Sequence, residues 1–216
     1  MKRPLLIIFG VLILDQFIKI WVKTHMLLGQ EFRLTNWCML HFTENNGMAF
    51  GMEFGGDYGK IILSVFRILF VIAISFYLYK LVKSKADPLY ITCIALVIAG
   101  ATGNIIDCTF YGKIFSTSDY QLAQLFPAEG GYSSILHGKV VDMFYFPIIQ
   151  GEFPKWFPIW HNQDYEFFRP IFNLADSSIS VGVILMLIFQ KRFFAEHPQD
   201  QNTELATETP AEGEGI

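Results

Sequence analysis

Four long apolar segments constrain this chain more than any other feature of its sequence. They cover residues 5–22, 61–79, 89–106 and 171–189 of the 216-residue chain. Each approaches the roughly 20 residues that an α-helix needs to cross the hydrocarbon core of a bilayer. Charged residues make up only 17% of the sequence, whereas about 25% is usual in soluble globular proteins. The sequence therefore predicts a membrane protein with an all-α core of four transmembrane helices.

The distribution of lysine and arginine predicts the orientation of these helices. Basic residues cluster on one side of the four segments: Lys2, Arg3, Lys80, Lys83, Lys85, Lys191 and Arg192. Loops rich in lysine and arginine remain in the cytoplasm, so we expect both chain termini to be cytoplasmic. Segments 24–59 and 107–170 are then expected on the outer side of the membrane.

The two outer segments and the C-terminal tail differ in composition. Branched and aromatic residues alternate loosely through 32–43 and glycines follow, which predicts that segment 24–59 forms a small strand-rich unit. Segment 107–170 is rich in aromatic residues and prolines, which favours an extended structure over a long helix. The tail 195–216 holds six acidic residues and no lysine or arginine, which predicts disorder. We expect one integral membrane domain over residues 1–194, followed by this tail in the cytoplasm.

Polar and ionisable side chains within or beside the apolar segments mark a candidate site, because such groups are costly in a bilayer. The candidates are Asp15, Lys19, Asn104, Asp107, Asp142, Asn173 and Asp176. Given the predicted helix directions, all of them fall in the outer half of the membrane. A rise of 1.5 Å per residue puts Asp176 about 8 Å below the start of the fourth segment. Such convergence is typical of a site built between helices.

Each candidate also has a structural interpretation that the residues alone leave open. These interpretations are an ion pair for Asp15 with Lys19, interhelical hydrogen bonds for Asn104 and Asn173, a water-facing charge for Asp107, a helix cap for Asp176, and a turn for Asn45, Asn46 and Gly47.

The acidic residues of this layer indicate a chemistry. Two carboxyls close together in a water-poor place cannot both ionise readily, so one keeps a proton. The ionised carboxyl can activate water while the protonated one polarises a peptide carbonyl. The chain has no nucleophile-elbow serine, no HExxH zinc motif and no histidines at ligand spacing. The predicted depth in the membrane permits Asp107, Asp142 and Asp176 as members of such a pair. Their spacing along the chain modestly favours Asp142 with Asp176.

Several short motifs occur in order along the chain: FTENNGMAFG, AGATGNIID, GKVVDMF and FNLADSSISVG. Together with the Asp15–Lys19 pair, they resemble the bacterial lipoprotein signal peptidases, also called signal peptidase II, over about residues 4–192. The resemblance implies a multi-pass aspartic endopeptidase of the bacterial inner membrane, with its active site toward the periplasm. The implied substrate is a diacylglyceryl-modified prolipoprotein, which is cut just before the lipidated cysteine.

The resemblance also assigns roles to individual residues. It implies that Asp142 and Asp176 form the catalytic dyad. The implied supporting residues are Asp15, Lys19, Asn45, Gly47, Asn104, Asp107 and Asn173. No metal, organic cofactor or nucleic acid is implied, and we expect a monomer in contact with membrane lipids. Segment 24–59 is similar to the family's periplasmic cradle, which rests on the membrane surface.

The chain departs from the family pattern at Cys108 and in longer connections from Asp107 to Asp142 and from Asp142 to Asp176, and an alternative function stays open. Cys108 stands where the family usually has an arginine after GNxxD, and Lys139 and Arg169 are candidates to supply the lost polar contacts. The alternative function is a small non-enzymatic transporter or assembly factor that uses the same intramembrane acids. A transporter more often shows repeat symmetry and polar groups through the whole membrane depth, so the outer polar layer favours the peptidase.

Overall fold

A computed structural model describes residues 2–46, 56–147, 149–152, 164–167 and 170–193 of the chain. The predictions for Gly47, for Arg169 and for the acidic tail 195–216 lie outside these residues.

Long apolar helices dominate the described structure. In chain order the helices are α1 (Lys2–His25), α2 (Gly56–Lys83), α3 (Pro88–Ile106), α4 (Gly112–Ile114), α5 (Leu174–Ile188) and α6 (Gln190–Phe193). Among the described residues, α1, α2 and α3 are long and apolar enough to cross a membrane, and α5 is a shorter apolar helix. A π-helical stretch, Asp107–Tyr111, continues α3 into α4, so this helix runs past the predicted end at residue 106.

A small antiparallel sheet accompanies the helices. The strands are β1 (Glu31–Arg33), β2 (Met39–Asn45), β3 (Val140–Tyr145), β4 (Ile149–Glu152), β5 (Asp164–Phe167) and β6 (Ile171–Phe172). Strands β1, β2, β3 and β6 form one four-stranded sheet in that order, and β4 pairs with β5 separately. The prediction of strands within segment 24–59 is confirmed for β1 and β2. The sheet joins the segment after α1 to the residues just before α5.

The fourth predicted helix, expected from about residue 171, begins three residues later in the structure. Ile171 and Phe172 pair with Tyr145 and Phe144 of β3, so their backbone groups are committed to the sheet. Helix α5 therefore begins at Leu174, and Asp176 lies in its first turn instead of about 8 Å inside the helix. Residues 171–172 are half-buried and belong to a strand, which hydropathy does not distinguish from a helix.

Small residues allow α3 and α5 to approach closely. A Cβ placed on Gly100 would lie 2.2 Å from the carbonyl oxygen of Ala175, and one on Gly182 would lie 2.8 Å from the carbonyl oxygen of Cys93. Ser178 Oγ also donates to the carbonyl of Leu96 over 2.8 Å. Close contact between small residues and an interhelical hydrogen bond are typical of helices that associate in membranes. This packing fixes the start of α5 beside the end of α3.

Two buried apolar clusters stabilise the two ends of the helices. One joins the end of α1 to the sheet and to the segment after α3, through Val22, Met26, Phe42, Tyr111, Phe115, Ala123, Val141 and Met143. The other lies at the opposite end of α3, through Leu78, Tyr90, Ile94 and Ile98. Large apolar side chains such as Phe17 and Phe66 are exposed along α1 and α2, as expected of surfaces that face lipid.

Candidate active site

Asp142 is the third residue of β3, and its side chain is only 2% exposed. Strands β2 and β3 pair with Thr43 opposite Asp142 and Asn45 opposite Val140. Alternate residues of a strand share one face, which directs Asn45 toward Asp142. Asn45 Nδ2 donates to Asp142 Oδ2 over 2.9 Å. Asn45 therefore ends a strand and contacts an acid, which the interpretation of 45–47 as a simple turn does not explain.

Asp176 lies at the N-terminus of α5, where Asn173 is the cap residue. Asn173 Oδ1 accepts a hydrogen bond from the backbone N–H of Asp176 over 2.9 Å, and Asp176 Oδ2 accepts one from the backbone N–H of Asn173 over 3.3 Å. This reciprocal capping box satisfies two backbone donors that the start of a helix leaves unpaired. The other oxygen of the Asp176 carboxyl, Oδ1, accepts a hydrogen bond from Asn104 Nδ2 over 2.8 Å. Capping thus holds the Asp176 carboxyl in place at the helix start.

Asn173 and Asn104 connect the two acids. Asn173 Nδ2 donates to Asp142 Oδ1 over 2.7 Å and to Asn104 Oδ1 over 3.1 Å. Its orientation is fixed because its oxygen already accepts from the backbone of Asp176. The oxygen of Asn104 likewise accepts from Lys19 Nζ over 2.9 Å, which turns its amide group toward Asp176. Donor-only groups therefore determine which way both amides point.

Lys19 is fully buried, and its ammonium meets three acceptors. Nζ lies 2.9 Å from Asp15 Oδ2, 2.8 Å from Asp107 Oδ2 and 2.9 Å from Asn104 Oδ1. An ammonium has three N–H donors, so each has a partner. Asp15 Oδ1 also accepts the backbone N–H of Ala175 over 2.9 Å. The structural ion pair between Asp15 and Lys19 is confirmed, and it ties α1 to the start of α5.

Asp107 is 0% exposed, so the interpretation as a water-facing charge is wrong. It opens the π-helical stretch, an irregularity that often occurs at functional sites. Gln16 Nε2 donates to Asp107 Oδ1 over 2.9 Å, and Gln16 Oε1 accepts the hydroxyl of Tyr111 over 3.1 Å. The backbone N–H of Val141, next to the acid of β3, donates to Asp107 Oδ2 over 3.4 Å.

Gln16 is a site residue that the sequence analysis missed. An amide directly after Asp15, inside an apolar segment, was the available signal. This signal is weak because amide side chains in membrane helices often only link neighbouring helices.

The surroundings of Asp142 shift its ionisation. Burial, followed by repulsion from Asp176, raises the pKa of Asp142 to about 7, although hydrogen bonds from Asn45 and Asn173 favour the ionised form. A carboxyl with a pKa near 7 retains a proton at neutral pH in a useful fraction of molecules. Asp142 can therefore carry a proton at neutral pH.

The predicted site residues meet in one hydrogen-bonded network. Its members are Asp15, Lys19, Asn45, Asn104, Asp107, Asp142, Asn173 and Asp176. Gly47, the remaining predicted member, lies outside the described residues. The interhelical interpretation of Asn104 and Asn173 is also correct, because their side chains bond to each other across α3 and α5.

Cys108, the departure from the family pattern, is 2% exposed and has a free thiol. Lys139 was one candidate to supply the contacts of the missing arginine. Its Nζ lies 3.5 Å from Glu44 Oε2, on the far side of β2 from Asn45. Arg169, the other candidate, lies outside the described residues.

Comparison with known proteins identifies the family. A family model described as signal peptidase (SPase) II matches residues 7–192. A lipoprotein signal peptidase of Porphyromonas gingivalis is 52% identical over 182 residues, which cover 84% of this chain and 79% of the relative. One of Amoebophilus asiaticus is 37% identical over 190 residues, which cover 86% of this chain and 76% of the relative.

Two solved structures of bacterial membrane enzymes, at 2.3 Å and 1.9 Å resolution, resemble this fold. The first has a TM-score of 0.56 at 23% identity and covers 99% of this chain and 96% of that chain. The second has a TM-score of 0.55 at 27% identity and covers 87% and 92%. With a family match over most of its length and a relative at 52% identity, this chain belongs to the signal peptidase II family.

Proposed function

We propose that Asp142 and Asp176 form the catalytic dyad of an endopeptidase that cuts diacylglyceryl-modified prolipoproteins just before the lipidated cysteine. As a member of the signal peptidase II family, the chain is an aspartic peptidase that removes signal peptides from prolipoproteins. The observation that carries the dyad is the position of Asn173, whose side chain bonds to Asp142 and to the backbone of Asp176. The family assignment gives no support to the alternative of a transporter or assembly factor.

In the proposed reaction the dyad begins with one proton shared between two carboxyls. The ionised carboxyl takes a proton from water as the water oxygen attacks the scissile carbonyl carbon. The protonated carboxyl gives its proton to the carbonyl oxygen, which yields a neutral tetrahedral diol. The carbon–nitrogen bond then breaks while the nitrogen receives the proton that came from water, and one hydroxyl of the diol returns a proton to the other carboxylate. The products are the carboxyl end of the signal peptide and the free amino group of the lipidated cysteine.

The supporting residues are proposed to hold the dyad in its reactive geometry. Asn45 and Asn173 fix the two oxygens of Asp142, and Asn104 fixes one oxygen of Asp176. The Lys19 ammonium sets the orientation of Asn104. A site whose donors are aligned before the substrate arrives has less to reorganise during the reaction. The residues around the dyad are therefore positioning residues.

We also propose a single membrane domain over residues 1–194, with four spans, both termini in the cytoplasm of the bacterium and the site near the periplasmic surface of the inner membrane. The contact of 2.7 Å between Arg192 Nε and Asp87 Oδ2 supports this orientation, because it joins the basic residues after α5 to the link between α2 and α3. The sheet, together with Trp37 in the connection between β1 and β2, which is 63% exposed, supports a cradle that lies against lipid and substrate. The proposed enzyme acts as a monomer.

The dyad is tested by cleavage of a lipidated lipobox peptide by the purified protein in detergent. Asp142→Asn and Asp176→Asn each preserve shape and remove ionisation. We expect each to lower the single-turnover rate by about 100- to 10,000-fold, the usual range for a general acid or base. The control is Asp119→Asn, which makes the same chemical change at an exposed acid of the outer segment.

The same peptide without its lipid tests the substrate assignment, and we expect it to be cut poorly by the wild-type protein. Thermal melting of each variant shows that it is folded. Wild-type turnover by a folded Asp142→Asn or Asp176→Asn variant would remove that residue from the dyad.

A further inference from the structure

A second buried charge cluster lies on the opposite face of β2 from Asn45. Its members are Lys23 of α1, Glu44 of β2 and Ser118 of the segment after α4, and we call them the Glu44 clamp. Lys23 is 0% exposed, Ser118 is 1% exposed and the Glu44 side chain is 4% exposed. Lys23 forms an ion pair with Glu44 Oε1, and Ser118 Oγ donates to the same oxygen over 2.7 Å. Lys23 Nζ also donates to Ser118 Oγ over 2.9 Å.

Further contacts extend the clamp to the start of β3. Glu44 Oε2 lies 3.5 Å from the Nζ of Lys139, the residue directly before β3. The ring of Tyr132 lies under both cations, 5.0 Å from Lys23 Nζ and 6.0 Å from Lys139 Nζ. The Tyr132 hydroxyl accepts the backbone N–H of Lys139 over 2.7 Å. The clamp therefore holds α1, β2, the start of β3 and the outer segment together.

The clamp has a structural role and is not a second nucleophilic site. A serine within hydrogen-bond distance of a lysine resembles the pair used by some hydrolases. Ser118, however, is 1% exposed and donates its hydroxyl hydrogen to Glu44. A substrate cannot reach that oxygen without opening the cluster. The Lys23 ammonium is likewise held by Glu44.

The position of Glu44 in β2 links the clamp to the proposed dyad. Glu44 and Asn45 are consecutive strand residues, so their side chains point to opposite faces of the sheet. Glu44 pairs with Val141 and Asn45 with Val140, while the register shifts between Leu40 and Thr43. A slip of one residue would exchange the two faces and remove Asn45 from Asp142. The pairing of β2 with β3 is irregular just before Glu44, so side-chain contacts are needed to hold the register of β2.

We propose that Glu44, held by Lys23 and Ser118, is a positioning residue that fixes β2 so that Asn45 donates to Asp142. This inference rests on the proposed dyad of Asp142 and Asp176. Glu44 affects Asp142 indirectly, because it lies on the opposite face of the strand and acts through Asn45.

The test measures the pH profile of peptide cleavage for Glu44→Gln, Asn45→Ala and the double variant. Loss of the Asn45 hydrogen bond removes an interaction that lowers the pKa of Asp142. We therefore expect the alkaline limb of the profile to move up by about one pH unit in both single variants. We also expect kcat to fall about 10- to 100-fold, as small misplacements of catalytic groups can cause. In the double variant the limb moves no further than in Asn45→Ala.

The direction in which the alkaline limb moves distinguishes a positioning role of Glu44 from a direct electrostatic effect on Asp142. Removing the negative charge of Glu44 alone would lower the pKa of Asp142 and move the limb down. The variant Lys23→Met/Glu44→Gln removes one charge of each sign, so it avoids an unpaired buried ammonium if Glu44→Gln fails to fold. The other groups that face Asp142, namely Asp176, Asn173 and Lys19, are unchanged in all these variants.

The control is Tyr77→Phe, which deletes the 2.9 Å hydrogen bond between Tyr77 and Tyr90 far along α2 and α3. We expect it to leave the limb in place. The proposal is overturned if the limb stays fixed or moves down in Glu44→Gln and in Lys23→Met/Glu44→Gln, or if the effects of Glu44→Gln and Asn45→Ala add in the double variant. An active Asp142→Asn enzyme would instead overturn the dyad, so the two failures are distinguishable.

Discussion

Asn173 donates a hydrogen bond of 2.7 Å to Asp142 from the cap position of the helix that carries the other acid. The cap residue has an extended backbone, with φ −115° and ψ −179°, as it leaves the sheet. Its oxygen binds the helix N-terminus and its amide group reaches β3. One side chain therefore sets the position of the helix relative to the strand, and with it the position of Asp176 relative to Asp142.

The two roles of Asn173 can be separated by substitution. Asn173→Ala removes both cap and donor, and we expect the free energy of unfolding to fall by about 1 kcal/mol from loss of the cap alone. Asn173→Ser retains a capping oxygen but has no amide group to reach Asp142, so it should melt close to wild type. We expect both variants to lose peptide cleavage. Thermal melting and single-turnover rates measure the two effects, and an active Asn173→Ser enzyme would contradict the positioning role.

Cleavage should decline as the pH rises above neutrality. The proposed dyad needs one proton, and burial followed by repulsion from Asp176 raises the pKa of Asp142 to about 7. Above this pH Asp142 loses its proton, and the proposed pair has no acid left to protonate the carbonyl oxygen. We expect kcat/KM, measured from pH 5 to 9, to fall with an apparent pKa near 7 that belongs to the pair. A rate that stays flat to pH 9 would contradict this assignment.

The same pKa predicts how stability depends on pH. The folded protein holds the Asp142 proton up to about pH 7, whereas the unfolded chain releases it near pH 4. The contribution of Asp142 to stability is thus fully present below about pH 4 and is lost as the pH rises through 7. The Asp142→Asn variant does not lose this stability. The difference between its melting temperature and that of the wild type should therefore increase from pH 5 to pH 8. A difference that is constant with pH would show that Asp142 titrates normally.

Lys19 should be required for folding as well as for activity. Lys19→Met leaves Asp15 and Asp107, which are 1% and 0% exposed, without their cation. Breaking a buried ion pair from one side costs about 3–5 kcal/mol, so we expect a large drop in melting temperature. Adding Asp107→Asn should restore part of it, because one fewer carboxylate is unpaired. The control is Lys113→Met at an exposed lysine, and equal melting of the two single variants would contradict the role of Lys19.

Gly100 should tolerate no larger side chain. The Cβ of alanine there would lie 2.2 Å from the carbonyl oxygen of Ala175 and 2.7 Å from Ile179, so α3 and α5 must move apart. Overpacking of this kind costs about 1–3 kcal/mol, and the displaced α5 should reduce cleavage. Gly10→Ala is the matched control, because nothing lies within 4 Å of its added Cβ. Wild-type melting and cleavage by Gly100→Ala would contradict the close approach of the helices.

Much of the site was predictable because its residues stand in short local patterns. The spacing of Asp15 and Lys19 puts them on one helical face and made an ion pair one of two interpretations, and the motifs around Asn104, Asp142 and Asp176 pointed to one site. The chemistry of acids placed among apolar residues is also local, since an isolated carboxylate in such a setting needs a partner. These expectations required no knowledge of how distant segments meet.

Other features depend on contacts between residues far apart in the chain. Burial of Asp107 follows from its meeting with Lys19 and Gln16 of α1. Strand pairing at Ile171 moves the start of α5, and apolar residues look alike in a strand and a helix. Glu44 gave no signal, because a charged residue in a strand usually faces water.

The sequence by itself determined the apolar segments and the set of acids and amides available for chemistry, because segment length and residue type are properties of the chain at each point. Tertiary structure alone decided which oxygen each donor meets, where α5 begins and which face of β2 carries Glu44. Hydrogen bonds and buried ion pairs act over a few ångströms, so they exist only after packing has brought distant segments together.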